Sequence, residues 1–149
     1  MITDPRDCPY HLVSRATLLV TSALRKELRD AGVDHVRPAY FGVLLSLWRE
    51  DGLKAVELGR RAGLEPSTMT GLLDRMEHDG LLTRSSDPND RRAHRIHLTD
   101  AGREAKSPVG RVMDRALGKI LDGVRQSDLA QLKKTLRQML ANANRLVEP

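Results

Sequence analysis

Between Leu81 and Thr99 the chain reads LLTRSSDPNDRRAHRIHLT, and no other stretch narrows the choice of fold as much. HRIHLT, from His94 to Thr99, alternates polar and apolar residues, the period of a half-buried strand. LLTRSS is a looser match and reads as its partner. The DPND between them is turn chemistry: Pro88 fixes φ, while Asp87, Asn89 and Asp90 tolerate turn geometry. A connector between helices needs no such hairpin, so the hairpin itself has to have a use.

Everything around it has helical period. Leu12, Ala16, Leu19, Val20, Ala23, Leu24 and Leu28 recur at helical spacing up to a stop at Gly32. Pro38 opens the next helix, where its missing N–H costs nothing; Phe41, Leu44, Leu45 and Trp48 line one side, and Asp51-Gly52 ends it. A short helix of about Lys54 to Ala62 closes at Gly63. LEPSTMTGLLDRMEHDG follows, with Met69, Leu72, Leu73 and Met76 on one apolar face and Gly80 as the C-terminal stop. Two short helices joined through a glycine turn are a helix-turn-helix. With the hairpin attached, the expected fold is mainly α with a small β-hairpin wing.

Beyond the hairpin, Thr99 is read as a helix cap and Pro108 as a kink or a delay. Val109, Val112, Met113, Ala116, Leu117, Ile120, Leu121 and Val124 make one long stripe. Ser127 is read as the cap of a last helix striped by Leu129, Leu132, Leu136, Met139, Leu140, Ala143, Leu146 and Val147. Three amphipathic terminal helices make a thin bundle alone and a proper one in two copies. The reading is therefore dimerisation helices over 1–37 and 100–149, forming an intertwined bundle, with the winged helix-turn-helix at 38–99. Packing within one monomer is the alternative.

Composition sets limits. Net charge is +5, which permits a polyanionic partner without proving one. Residues 56–103 carry eight Lys/Arg and eight Asp/Glu, so local placement must carry the argument. Cys8 is the only cysteine of the 149 residues, which forbids an internal disulfide and fits a reducing cytoplasm. No leading apolar run signals export and no segment is long enough to span a membrane. No phosphate loop, nucleophile elbow or HExxH run suggests an enzyme. His94 and His97 fall on opposite faces of a strand, so no metal is expected, and no cofactor.

At this point the residues carry a resemblance. ELGRRAGLEPSTMTGLLDRMEHDGLLTRSSDPNDRRAHRIHLTDAG, Glu57 to Gly102, resembles the core signature of the multiple-antibiotic-resistance regulator (MarR) family. The leucine-glycine helix, the Ser-Thr helix start, LLDRME with its glycine and the DPNDRR…LT..G wing carry it. The resemblance implies a homodimeric winged-helix DNA-binding regulator, usually a repressor, released by a small ligand or by oxidation.

The reading head follows from the helical wheel. With the apolar face buried, Pro66 starts a helix whose outer side shows Ser67, Gly71, Asp74 and His78, flanked by Thr68, Thr70 and Arg75. A recognition helix reads bases with its N-terminal residues, and Ser and Thr bond base edges or phosphate. Plain capping is the other reading of Ser67 and Thr68. On the wing, Arg91 or Arg92 is the candidate for a minor groove, braced by Asp90; His94 and Arg95 are candidates for backbone contact. The alternative is a solvated hairpin with surface ion pairs. A winged helix that binds protein is a rival with little use for those arginines.

For a ligand, Tyr10, His11, Ser14 and Arg15 on the first helix and Tyr40 and Trp48 on the second suit an aromatic carboxylate or a phenol. Equally, the aromatics are core. Cys8 offers a redox alternative, since one branch of the family pairs an early cysteine with a tyrosine of the second helix, here Tyr40; but Cys8 precedes Pro9, at or outside the helix start. The expected partners are thus a pseudo-palindromic DNA duplex, a second copy of the chain and a small effector.

Overall fold

A computed structural model describes residues 4–147, apart from the side chains of Pro5 and Arg91. The chain divides into two compact units, 1–116 and 117–149.

The first unit begins with α1 (Pro9–Asp30). Its C-terminus turns at Gly32, whose φ of +68° suits glycine, and Val33 N–H donates to Leu28 O at 2.9 Å. A single turn at Pro38–Tyr40 leads into α2 (Phe41–Arg49). Then come β1 (Leu53–Lys54), α3 (Ala55–Ala62) and α4 (Pro66–His78). The hairpin is β2 (Leu82–Asp87) and β3 (Asp90–Leu98), joined through Pro88 and Asn89 as the turn chemistry requires. The sheet order is β1-β3-β2, all antiparallel, with Leu53 and Arg84 on opposite sides of Ile96 and Leu82 opposite Leu98. β1 went unread in the sequence, since two residues are too few to show a period.

After β3, α5 (Asp100–Glu104) and α6 (Lys106–Ile120) follow almost continuously. Pro108 sits in the first turn of α6, so the break falls just before it, at Ala105. Thr99 caps α5 by accepting from Gly102 N–H at 3.1 Å, and its own hydroxyl donates to Gly80 O at 2.6 Å. Gly102 has a second reason to be glycine. A Cβ there would lie 2.0 Å from the carbonyl oxygen of Leu81. The threonine and the glycine together fasten the start of α5 to the turn after α4.

One apolar core runs through this unit. Leu28, Tyr40, Leu44, Leu47, Leu58, Met76, Leu81, Leu82 and Ile96 are each almost wholly buried, and Val109 and Val112 of α6 join them. Each fully buried Leu is worth about 2 kcal/mol. Packing therefore crosses both expected boundaries, at 37/38 and at 99/100, because the second half of α1 and the start of α6 close the core.

The second unit holds the end of α6 and α7 (Gln126–Val147), joined by a turn through Gly123 at φ +76°. Ser127 lies inside α7 instead of capping it; an Arg125–Asp128 pair at 2.8 Å stands at the helix start. No residue of α7 is buried within the chain.

Candidate nucleic-acid interface

α4 is amphipathic in the sense the sequence required. Met69, Leu72, Leu73 and Met76 are buried, while Ser67, Thr68, Thr70, Asp74, Arg75 and His78 are exposed. Pro66 occupies the first helical position. The cap position belongs to Glu65, whose side chain makes no capping bond, so neither Ser67 nor Thr68 is the cap. The reason is Pro66: it cannot donate an amide, which moves the helix start one residue upstream of the serine. Thr70 Oγ1 donates to Pro66 O at 3.0 Å. At Gly71 a Cβ would meet only the Arg75 Nη1 atom, at an ordinary 3.6 Å. No described residue demands glycine there.

The wing is held at its base by a carboxylate. Asp87 has no exposed side-chain surface, and burying a charge is costly unless it is paired and hydrogen-bonded. It is both. Asp87 Oδ1 accepts Asn89 N–H at 2.8 Å, closing the turn, and Oδ2 accepts Arg95 Nε–H at 2.8 Å with Lys54 Nζ at 3.5 Å. The Asn89 amide foremost, then Arg95 and Lys54, holds the Asp87 carboxyl below the usual range against the opposing effect of burial. Arg95 also donates to Gly52 O at 3.0 Å, tying β3 to the loop before β1.

Two expectations change here. Arg95 commits its Nε and Nη1 donors to the sheet's own anchor, Asp87 and Gly52 O. Among the described residues Asp90 braces no arginine side chain; its carboxylate accepts the Arg92 backbone N–H at 3.0 Å. The buried carboxylate of the wing is Asp87, which pairs with Arg95 and Lys54. Arg92 and His94 are exposed, and Arg92 has no acidic partner among the described residues. The side chain of Arg91 lies outside the described residues.

Arg84 is a residue the sequence reading missed. It bonds Asp74 and Glu77, both on α4, from the hairpin. So Asp74, expected on the reading face, is already engaged, by Arg84 Nη2–H at 2.6 Å. The signal was available. Strand alternation places Arg84 on the side of Leu82, facing the helix that precedes it.

The ligand candidates separate. Tyr40 lines a cleft of about 850 Å³ formed by the second half of α1, the turn before α2 and Arg75 of α4. Arg25, Arg29 and Arg37 share its walls. The Tyr40 hydroxyl donates to Asp79 Oδ2 at 2.6 Å, Arg37 Nη2 is 3.4 Å from the same oxygen, and the Arg37 guanidinium lies 5.8 Å from the tyrosine ring centroid. Burial, with the Asp79 bond and charge, pushes the Tyr40 hydroxyl up to about 12. Trp48 has a structural task instead: half-buried on the core, it donates its indole N–H to Gly102 O at 2.9 Å. Tyr10, His11 and Arg15 are exposed and Ser14 half-buried in the first turns of α1, outside the lining of this cleft. Cys8 occupies the N-cap position of α1 and is half-buried.

A helix with a polar, unburied start, packed beside a hairpin with an exposed arginine near its tip, defines a winged helix-turn-helix. Residues 37–94 match the model of the MarR family. The HTH-type transcriptional regulator TtmR of Methylorubrum extorquens (strain PA1) is 46% identical over 109 residues, covering 70% of this chain and 55% of TtmR, so the chain spans about half of that relative. The organic hydroperoxide resistance transcriptional regulator of Bacillus subtilis (strain 168) is 35% identical over 103 residues, 69% of this chain and 68% of that protein. Among solved structures, CouR from Rhodococcus jostii RHA1 bound to p-coumaroyl-CoA superposes with a TM-score of 0.77 at 26% identity, over 93% of this chain and 95% of CouR. CouR is also known bound to a 23-mer DNA duplex. The chain belongs to the MarR family, a family of transcriptional regulators that bind DNA.

Proposed function

We propose that this chain acts as a homodimeric, sequence-specific transcriptional repressor whose grip on DNA is relieved by a small ligand. The observation that carries the DNA reading is the pairing of the exposed Ser67, Thr68 and Thr70 on α4 with the exposed Arg92 on the wing. The first set suits base edges in the major groove; an arginine near a hairpin tip suits the adjacent minor groove or its phosphates. Gly71, without an internal steric reason, leaves room for the duplex to approach. Two such heads on a dimer suit a near-palindrome with half-sites one helical turn apart.

Dimerisation is supported by apolar surface that a single chain leaves open. Leu12, Leu18 and Leu19 of α1 and Leu132, Leu140 and Leu146 of α7 are all exposed. The effector reading is supported by the cleft at Tyr40. Its arginines and its one phenol suit an anion with an aromatic part, the class suggested by the sequence. That CouR takes an aromatic acyl-CoA is consistent with this choice. The redox alternative through Cys8 has less support, since the Tyr40 hydroxyl that it needs is held by Asp79.

The test is a salt titration of binding to the native operator and to a scrambled duplex. Arg92→Ala is expected to weaken binding to both and to flatten log affinity against log salt by about one unit. Thr68→Ala is expected to change preference among operators by about 1–3 kcal/mol at a contacted base pair, with the slope kept. A folded Arg92→Ala protein with wild-type affinity and slope removes the wing from the interface.

A further inference from the structure

Arg84 stands on β2 opposite Ile96, the central buried residue of the sheet. Cross-strand partners share a face, so this arginine sits on the side that carries the core, next to Leu82 and beneath α4. Its side chain is only 23% exposed. A guanidinium in that position needs partners, and two carboxylates three residues apart on α4 supply them.

The arrangement is a fork. One arm of Arg84, Nη1, donates to Glu77; the other, Nη2, donates to Asp74 Oδ1 at 2.6 Å. Glu77 also accepts the backbone N–H of Arg84 at 3.2 Å. One carboxylate thus fixes both the side chain and the main chain of the same strand residue. Planar, two-armed bonding of this kind constrains angle as well as distance. The covalent link from α4 to β2 is only the turn Asp79–Leu81, so the fork is a second, separate fastening between helix and wing.

We propose that Arg84 is a positioning residue for DNA reading: by clasping Asp74 and Glu77 it sets the angle of the wing against α4, so that helix and hairpin meet adjacent grooves together. The inference rests on the winged helix being the DNA-reading head. It assigns Arg84 no contact with DNA. Its second consequence is electrostatic, since the one guanidinium offsets one of the two carboxylate charges on a face that approaches a polyanion.

These two consequences pull a Glu77→Gln variant in opposite directions. Losing a negative charge by itself strengthens binding to phosphate. Losing half of the fork weakens it if angle is what the fork provides. The experiment measures operator affinity over a range of salt for wild type, Glu77→Gln and Arg84→Ala, with melting curves for each. The expected result is an operator affinity lowered roughly tenfold in both variants, the size of one lost charge-assisted bond. The salt slope stays within half a unit of wild type, because no phosphate contact is removed, and Glu77→Gln binds scrambled duplex at least as tightly as wild type, since it carries one negative charge fewer.

Glu77→Gln binding the operator as tightly as wild type, or tighter, overturns the proposal. So does Arg84→Ala flattening the slope by about 0.9, which marks Arg84 as a phosphate contact. Should Arg84→Ala fail to fold, the near-isosteric Glu77→Gln decides alone. Wild-type protein that binds no duplex in a salt-sensitive way overturns the DNA-reading head itself, a failure distinct from that of the fork.

Discussion

α4 and α7 carry the same kind of apolar stripe, yet the molecule treats them differently. On α4, Leu72 and Leu73 are each 3% exposed and Met76 is 0%. On α7, Leu132 is 47% exposed, Leu140 64% and Leu146 86%. Helical periodicity reports only that a face wants cover. In the first case the cover is the chain's own sheet and neighbouring helices. In the second, the face is open within one chain, and contiguous open apolar surface marks a site of association. The contrast also divides the surface: the covered stripe leaves α4 a polar side exposed, while the stripe of α7 stays open in a single chain.

The comparison is most severely tested at its sealed end. Gly102→Ala places a methyl against the Leu81 carbonyl at 2.0 Å, and backbone cannot yield as a flexible side chain does. The expected loss is about 4 kcal/mol or more, in the exceptional range for one substitution. A denaturant titration checks it. A near-wild-type midpoint means that the joint between α5 and the turn after α4 is looser than this contact implies.

At the open end, Leu136→Glu is expected to leave the winged helix folded and to separate the copies. Half-buried in one chain, Leu136 lies on the same stripe as Leu132 and Met139. A carboxylate there opposes association, since a buried charge needs a partner. Sedimentation at micromolar concentration is expected to show a dimer for wild type and a monomer for the variant. Operator affinity falls by about 100-fold as the second reading head is lost. A monomeric wild type with tight operator binding breaks the contrast.

The smallest effect concerns Tyr40, on the border between core and cleft. Its hydroxyl donates to Asp79, so the neutral form is the one that the fold holds. Its ordinary value of 10.0 is raised to about 12 in the fold. A tyrosine raised in this way contributes stability that is complete below pH 10 and lost as pH climbs toward about 12. Melting temperatures from pH 9 to 12 are expected to fall more steeply for wild type than for Tyr40→Phe. Parallel curves mean that the Asp79 bond adds no stability to the core.

The order of the elements was legible because it rests on local rules. Gly32, Gly63 and Gly80 end helices at positive φ, a conformation that costs other residues energy. Asp87-Pro88-Asn89-Asp90 makes the hairpin, and the period changes from 3.6 to 2 at Leu82. Thr99 caps because it stands before Asp100 at a helix start. Where a local rule had a local competitor, the reading failed: Pro66 displaced Ser67 and Thr68 from the cap.

What the sequence left undecided was pairing at a distance. It presented Asp74 as a reader, Asp90 as a brace and Arg95 as a contact, all reasonable by position. Strand alternation gives Arg84 its face, but the packing of β2 under α4 is what brings it to Asp74 and Glu77, and only the three-stranded register brings Lys54 and Arg95 to Asp87. The physical reason is the same in each case. A charge taken out of water accepts whichever opposite charge the fold brings within about 3 Å. That neighbour is chosen by strand register and helix docking, which join residues many positions apart. The sequence by itself determined the elements and the side of each that seeks cover. The tertiary structure decided which carboxylate holds which arginine, and so which side chains stay exposed.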